Sequence, residues 1–237
     1  MGIVDPTREA LRRYGAAGAL RRFGLRGAIR RAWSLAWGGA VVREEHVWYA
    51  IDLRNRRPEE RLPDGLTLHR GEEADLALLD ELDTIPLEER LARIRDGHSL
   101  WLVLEGSRAL FSCWIFRGST PAIAAPGGWL SLPAGTVCQE DSVTAPAARG
   151  RGIAPRAWAA IADELAAEGE LQLIRKVGAE NAPSHRAGEK AGFEPIARMS
   201  FTKLGPTSRT SVEVLDQGRG GFLADRLDSR RVSRSAS

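Results

Sequence analysis

The stretch Thr136–Ala154, TVCQEDSVTAPAARGRGIA, limits most sharply what this chain can fold into. Thr136 to Thr144 reads as a strand. Pro146 then ends any ladder pairing, because it has no N–H to donate. The run Arg149-Gly150-Arg151-Gly152-Ile153-Ala154 follows directly, and a helical pattern continues through APRAWAAIADELAAEG. Strand, glycine-rich turn and helix in this order make an anion site. The first backbone N–H groups of a helix lack intrahelical partners and sit at the positive end of its dipole. The glycines let an anion approach the backbone, where a nest of successive N–H groups can hold it.

The spacing excludes two common phosphate loops. No Gly-Lys-Ser/Thr follows, and there are not three glycines in the order G-x-G-x-x-G. A second stretch carries further information. Leu171 to Val177, LQLIRKV, reads as a strand, and Asn181-Ala-Pro-Ser184-His-Arg-Ala-Gly188-Glu-Lys190-Ala-Gly192-Phe193 follows it.

Arg149, Gly152 and Ala154 fill the three defining places of Arg/Gln-x-x-Gly-x-Gly/Ala, and so resemble the pyrophosphate loop of the GNAT superfamily of acyl-CoA-dependent N-acyltransferases. Asn181 to Phe193 resembles the N-x-x-S-x-x-x-x-E-K-x-G-F segment of the same superfamily. It is most similar to the branch that includes the ribosomal-protein-alanine acetyltransferases. The resemblance implies an α+β fold of three layers, α/β/α. Its sheet is mixed and largely antiparallel, with two splayed central parallel strands, here Thr136–Thr144 and Leu171–Val177, and the thioester between them.

From the same resemblance follow roles for individual residues. Acetyl-CoA or another acyl-CoA is the implied cosubstrate, and a primary amine the acceptor. The loop Arg149, Gly150, Arg151, Gly152, Ile153 and Ala154 would bind the diphosphate. Backbone groups of Ser142, Val143 and Thr144 would hold the pantetheine arm, with an N–H near Ser142 facing the thioester carbonyl, where negative charge grows. Asn181 would bond the pantetheine amides. An alkylammonium is a poor nucleophile at pH 7, so a base is needed. Glu140 is the candidate: strand alternation sets it on the face of Ser142, with Asp141 opposite and ranked second. Water acting as base, with Glu140 structural, stays open. The superfamily often places a tyrosine seven residues after the Asn to protonate the leaving thiolate. Gly188 stands there in this chain, which leaves Ser184 as the candidate acid.

Charge is unevenly distributed. Residues 1–43 hold nine Arg against Asp5 and Glu9, while the whole chain of 237 residues carries only +3. The first segment contains a near-repeat of nine residues, ALRRYGAAG, ALRRFGLRG and AIRRAWSLA. Nine residues turn a helix through about 900°, so successive copies would face opposite sides. Short helices bent at the glycines are therefore expected. Two readings stay open for them: packing on the core with solvated Arg, or binding to a membrane surface or nucleic acid.

The expected organisation is an Arg-rich helical extension (1–43), a strand and charged linker (44–64), a catalytic domain (65–216) and a disordered tail (217–237). Cys113 and Cys138 lack metal or redox spacing and read as buried free thiols of a reducing, cytoplasmic compartment. His69 and His98 have no ligand spacing around them, and no metal is expected. No apolar stretch reaches the length of a bilayer span, and Arg30-Arg31 lacks the cleavage site of an export signal. Trp101 and Trp114 are candidates to line a substrate cleft. Three functions remain: amine acylation, acylation of an RNA-linked substrate through the basic extension, or CoA binding without turnover by a regulatory module. A homodimer is compatible with each.

Overall fold

The computed structural model describes residues 41–54, 56, 62–205 and 207–229. The repeats of the Arg-rich extension, most of the charged linker and the last residues of the tail lie outside them. Eight strands form one sheet: β1 (Val41–Asp52), β2 (Leu66–Gly71), β3 (Ser99–Glu105), β4 (Arg108–Arg117), β7 (Thr136–Thr144), β8 (Gln172–Gly178), β9 (Glu194–Leu204) and β10 (Thr207–Val214). Their order is β10-β9-β1-β8-β7-β4-β3-β2. Every neighbouring pair is antiparallel except β7 and β8. A small hairpin, β5 (Ser119–Pro121) with β6 (Trp129–Ser131), lies beside the sheet. The helices are α1 (Leu87–Arg95), α2 (Ile153–Ala167), α3 (Ala182–Lys190) and α4 (Gln217–Leu227), with a 3₁₀ segment at Glu73–Leu79.

This is the mixed α/β/α arrangement expected from the sequence. The crossover from β7 through α2 to β8 produces the parallel pair. Helix α2 buries Ile153, Ala157, Trp158, Ile161, Ala162 and Leu165, the stripe that a 3.6-residue period brings to one face. Trp158 meets Phe111 of β4 and Phe193 at the end of α3 edge-on, so α2 and α3 cover the same face of the sheet. Helix α1 and the β5–β6 hairpin cover the other. Arg93 of α1 lies over the Trp114 and Phe116 rings, and Trp129 of β6 meets Phe116.

Two features differ from expectation. Strand β1 lies in the middle of the sheet, between β8 and β9, with Trp48 and Ala50 wholly buried. The sheet therefore includes residues that the sequence reading set before the catalytic domain. The segment from residue 217, expected to be disordered, forms α4 through Leu227. Leu223, Ala224 and Leu227 are buried there, and Gly220 approaches so closely that a Cβ would lie 2.6 Å from the Ile196 carbonyl oxygen. Burial of this face outweighs the poor helix propensity of its glycines. After the helix, Asp228 Oδ2 and Ser229 Oγ accept the Val212 and Thr210 N–H groups at 3.0 and 2.8 Å, which covers the outer edge of β10. Among the described residues no helix is long and apolar enough to cross a membrane.

Candidate active site

β7 and β8 pair over only four residues, from Thr136↔Gln172 to Gln139↔Arg175. Beyond that point β7 stays with β4 as far as Phe111↔Thr144, and β8 stays with β1 as far as His46↔Gly178. A gap therefore opens between Glu140–Thr144 and Lys176–Gly178, where strand backbone has no neighbour on one side.

A bulge shapes the lip of this gap. The β4–β7 register runs Trp114↔Glu140 and then Ser112↔Val143, so Cys113 faces two residues, Asp141 and Ser142. Asp141 has φ 48°, in the left-handed region that Asp tolerates better than most residues. The extra residue breaks the alternation on which the sequence reading relied. Ser142 Oγ accepts from Trp158 Nε1 at 2.9 Å, on the α2 face. Glu140 and Asp141 both reach the α1 face instead, through the contacts described next. Glu140 does not share a face with Ser142, and Asp141 does not oppose Glu140.

On the α1 face the charges are paired. Glu140 Oε1 accepts from Lys176 Nζ and, at 2.8 Å, from Thr120 Oγ1. Lys176 also donates to the Pro121 carbonyl at 2.6 Å and lies 5.7 Å from the Trp48 ring centroid. Desolvation is the largest influence on the Lys176 ammonium and pulls it down, yet the Glu140 charge and hydrogen bond, with the fields of Cys138 and Asp141, together carry the net direction upward. Among the described residues, every hydrogen bond to Glu140 falls on Oε1. Asp141 Oδ2 accepts from Arg93 Nη2 at 2.8 Å, and Glu89 accepts from the same nitrogen at 2.7 Å. Arg93 is buried, which lowers its pKa, but Asp141 and Glu89 hold it above the usual value on balance.

The α2–α3 face carries a different kind of charge. Arg175, the last residue of β8 paired with β7, is 3% exposed. Its guanidinium carbon lies 4.0 Å from the Trp158 ring centroid and 5.3 Å from that of Phe193. Nη2 donates to Ser184 Oγ at 2.5 Å, while Nε and Nη1 have no hydrogen-bond partner among the described residues. Burial draws this guanidinium down to about 10, and the groups opposing that shift begin with Cys113, Tyr49 and Cys138. It remains cationic at neutral pH. A Cβ on Gly188 would sit 3.5 Å from Nη1, so no side chain of α3 intervenes at that place. Asn181 caps α3, its Oδ1 accepting the Ser184 N–H at 3.2 Å. Tyr49 of β1 bonds His185 Nδ1 at 2.8 Å beside them.

The glycine turn lies at the start of α2. Gly150 and Gly152 have φ of 81° and 72°, conformations that suit glycine, and Gly152 is the helix N-cap with no side-chain capping bond. Among the described residues, the N–H groups of Gly150, Arg151 and Gly152 have no backbone acceptor. Arg149 Nε reaches the Thr144 carbonyl at 3.3 Å, and Arg151 pairs with Glu105 at 2.8 Å. Val143 and Thr144 complete the β7 side of the gap.

Other expected features lie elsewhere. His69 bonds Asp75 at 2.8 Å, and His98 stacks near Phe116, its pKa lowered chiefly by burial. Among the described residues, no group of three or more His, Cys, Asp or Glu is placed to hold a metal. Cys113 and Cys138 are free and buried, and burial pushes the Cys113 thiol up to about 12. Trp101 and Trp114 are buried on opposite faces of the sheet, Trp101 beneath Arg70 and Trp114 beneath Arg93. Two cavities, of about 470 and 530 Å³, are lined by residues such as Gly71 and His98 or Gln172 and Arg219, away from the gap. Arg175, Lys176 and Arg93 were not singled out from the sequence. An Arg-Lys pair inside the apolar strand LQLIRKV was the available signal, since such residues are seldom buried without a purpose.

No protein-family model matches the chain, and no curated protein sequence matches it. Solved structures do resemble it. A GCN5-related N-acetyltransferase from Sphaerobacter thermophilus is 16% identical, with a TM-score of 0.52, and the match covers 80% of this chain and 59% of that one. A GNAT-family acetyltransferase from Colwellia psychrerythraea is 12% identical over 75% of this chain and 62% of that one, TM-score 0.49. A Salmonella typhimurium acetyltransferase, solved with its cofactor acetyl-CoA, is 19% identical over 55% and 80%, TM-score 0.41. The chain thus spans about three fifths of the Sphaerobacter protein, and that likeness establishes the fold as the GNAT fold.

Proposed function

We propose that this chain transfers an acetyl or other acyl group from acyl-CoA to a primary amine by direct attack in a ternary complex. The observation that carries the proposal is the gap between β7 and β8, with the glycine turn at the start of α2 and a carboxylate pair on its α1 face. The turn's unsatisfied N–H groups and the α2 dipole suit a diphosphate, held by residues 149–154. Backbone of Ser142, Val143 and Thr144 lines the gap for the pantetheine arm, and Asn181, with Oδ1 committed to capping, offers its amide N–H₂ to that arm. A backbone N–H at Ser142 meets the charge that develops on the thioester oxygen.

The bulge divides the work between the two faces. Glu140 accepts the proton of the incoming ammonium on the α1 face, through the oxygen that Lys176 and Thr120 leave free. Ser184 stands on the α2–α3 face, where the thiol departs. Holding both reactants at one opening supplies the rate through positioning and electrostatics, with no covalent enzyme intermediate. The Asn181–Phe193 segment supports a place near the ribosomal-protein-alanine acetyltransferase branch, and two buried free thiols suit a cytoplasmic location.

The Lys176 clamp on Glu140 also favours a second reading, a CoA-binding regulatory module without turnover. Incubation with an acyl-CoA panel and amine acceptors, followed by mass spectrometry and thiol release, separates the two. Glu140→Gln should lower turnover about 10²–10⁴-fold while acyl-CoA binding persists. Binding of CoA with no acylation of any amine supports the module, and absence of CoA binding removes both readings.

A further inference from the structure

A buried cation without a carboxylate is costly, and folded proteins rarely retain one unless something else uses the charge. The ion pairs on the α1 face leave Arg93 and Lys176 neutralised. Arg175 is different. It is buried and rests on two aromatic faces; among the described residues its one hydrogen bond is to a hydroxyl, and Nε and Nη1 are unused. The rings attract the cation but supply no counter-charge. Its position is equally specific: it is the residue at which β7–β8 pairing ends, so its backbone lies at the root of the gap and its side chain on the α2–α3 face beside it.

We propose that Arg175 is a further catalytic residue, whose guanidinium receives the negative charge of the departing thiolate. The inference rests on the acyl-CoA reading above. As the amine nitrogen bonds to the carbonyl carbon, its proton passes to Glu140, the C–S bond breaks and that electron pair stays on sulfur. The thiolate so formed is paired with Arg175, which stays protonated throughout, and Ser184 fixes the guanidinium through Nη2. Gly188 matters because a side chain there would sit against Nη1, and none does. The titratable groups on the Arg175 face are Tyr49 of β1 and Cys113 of β4, with His185 and Glu189 of α3 next to Tyr49; Cys138 and Glu140 act on it through the sheet. Tyr49, Cys113 and Cys138 are all held neutral at neutral pH by burial, so none of them supplies the charge that a ligand's sulfur would.

Binding of free CoA and of desulfo-CoA to the full chain, followed by calorimetry between pH 6.5 and 9.5, tests this. A thiol ordinarily titrates near ~8.5, and a partner cation lowers that value in the complex. The bound state then holds fewer protons, so affinity for CoA should rise about tenfold with pH for each unit of lowering. Desulfo-CoA shares the phosphates but lacks sulfur, and should show no such rise. Arg175→Gln should make the two ligands parallel, and Arg175→Lys should retain part of the difference. Parallel curves in the unaltered chain, or a difference that survives Arg175→Gln, overturn the proposal whether or not every variant folds. Malonyl-CoA binding more tightly than acetyl-CoA through Arg175, with CoA itself insensitive to pH, would assign the charge to an acyl carboxylate and equally overturn it. Failure of the unaltered chain to bind either ligand would remove the acyl-CoA reading itself, which separates the two failures.

Discussion

The two faces of the sheet beside the β7–β8 gap solve the problem of buried charge in opposite ways. On the α1 face, Glu140 meets Lys176, and Asp141 and Glu89 meet Arg93, so both cations beside the gap have an acidic partner. On the α2–α3 face, Arg175 has two rings and a hydroxyl. A neutralised pair is self-sufficient and holds its geometry without a ligand. An unneutralised cation is ready for an anion that arrives later. Under the acyl-transfer proposal, the difference separates the two halves of the reaction: proton removal goes to the face where a carboxylate lines the gap, and charge acceptance to the face where a cation without a carboxylate partner does.

If the α1 face is a closed pair, breaking it from one side should be the most damaging change. Glu140→Gln leaves a buried ammonium without its counter-charge and should cost about 3–5 kcal/mol of stability, read from the urea midpoint. Glu140→Gln with Lys176→Met removes both charges and should recover most of that loss without recovering turnover. Additive effects of the two substitutions would show that the pair is not coupled and would dissolve the contrast between the faces.

The bulge that creates the contrast offers a sharper and smaller test. Asp141→Asn keeps a residue that tolerates φ 48° and removes one of the two acidic partners of Arg93. Asp141→Ala removes the same charge and adds a left-handed conformation that alanine resists by roughly 1–2 kcal/mol. The difference between the two variants isolates the backbone term. Equal stabilities would mean that the bulge relaxes once the Asp side chain is gone, and the assignment of Ser142 to the α2–α3 face would lose its cause.

That bulge also marks where reading the sequence stopped short. The strand, turn and helix from Thr136 to Ala167 were legible because Pro146, Gly150 and Gly152 punctuate them and the apolar stripe of α2 follows one period. The facing of Glu140 was not. Nothing in Gln-Glu-Asp-Ser announces an extra residue, since Asp141 adopts without glycine a conformation that usually advertises one. Strand β1 was legible as a strand but not as the neighbour of β8 and β9, because pairing across more than a hundred residues leaves no local trace. Helix α4 was hidden by Gly218, Gly220 and Gly221, and only the close approach of Gly220 to Ile196 explains why glycine belongs there. Arg175 and Lys176 were visible as an anomaly in LQLIRKV, yet their opposite fates depend on which face each meets.

The smallest expected effect is the most discriminating. Arg175→Met removes one buried charge, as Glu140→Gln does, but leaves no unpaired partner behind. The methionine side chain fills much of the space between Trp158 and Phe193 and makes favourable contacts with aromatic rings. What is lost is the cation's attraction to those rings, about 2 kcal/mol when desolvated, and one hydrogen bond to Ser184. What is gained is relief from holding a guanidinium away from water, and the two offset to within about 1 kcal/mol. Stability of Arg175→Met should therefore stay near that of the unaltered chain, or exceed it, in the same urea titration in which Glu140→Gln falls sharply. A loss as large as that of Glu140→Gln would mean that Arg175 serves the core. Near-neutrality means that the fold carries this charge without needing it, which is the condition under which a ligand's anion becomes the reason for its presence.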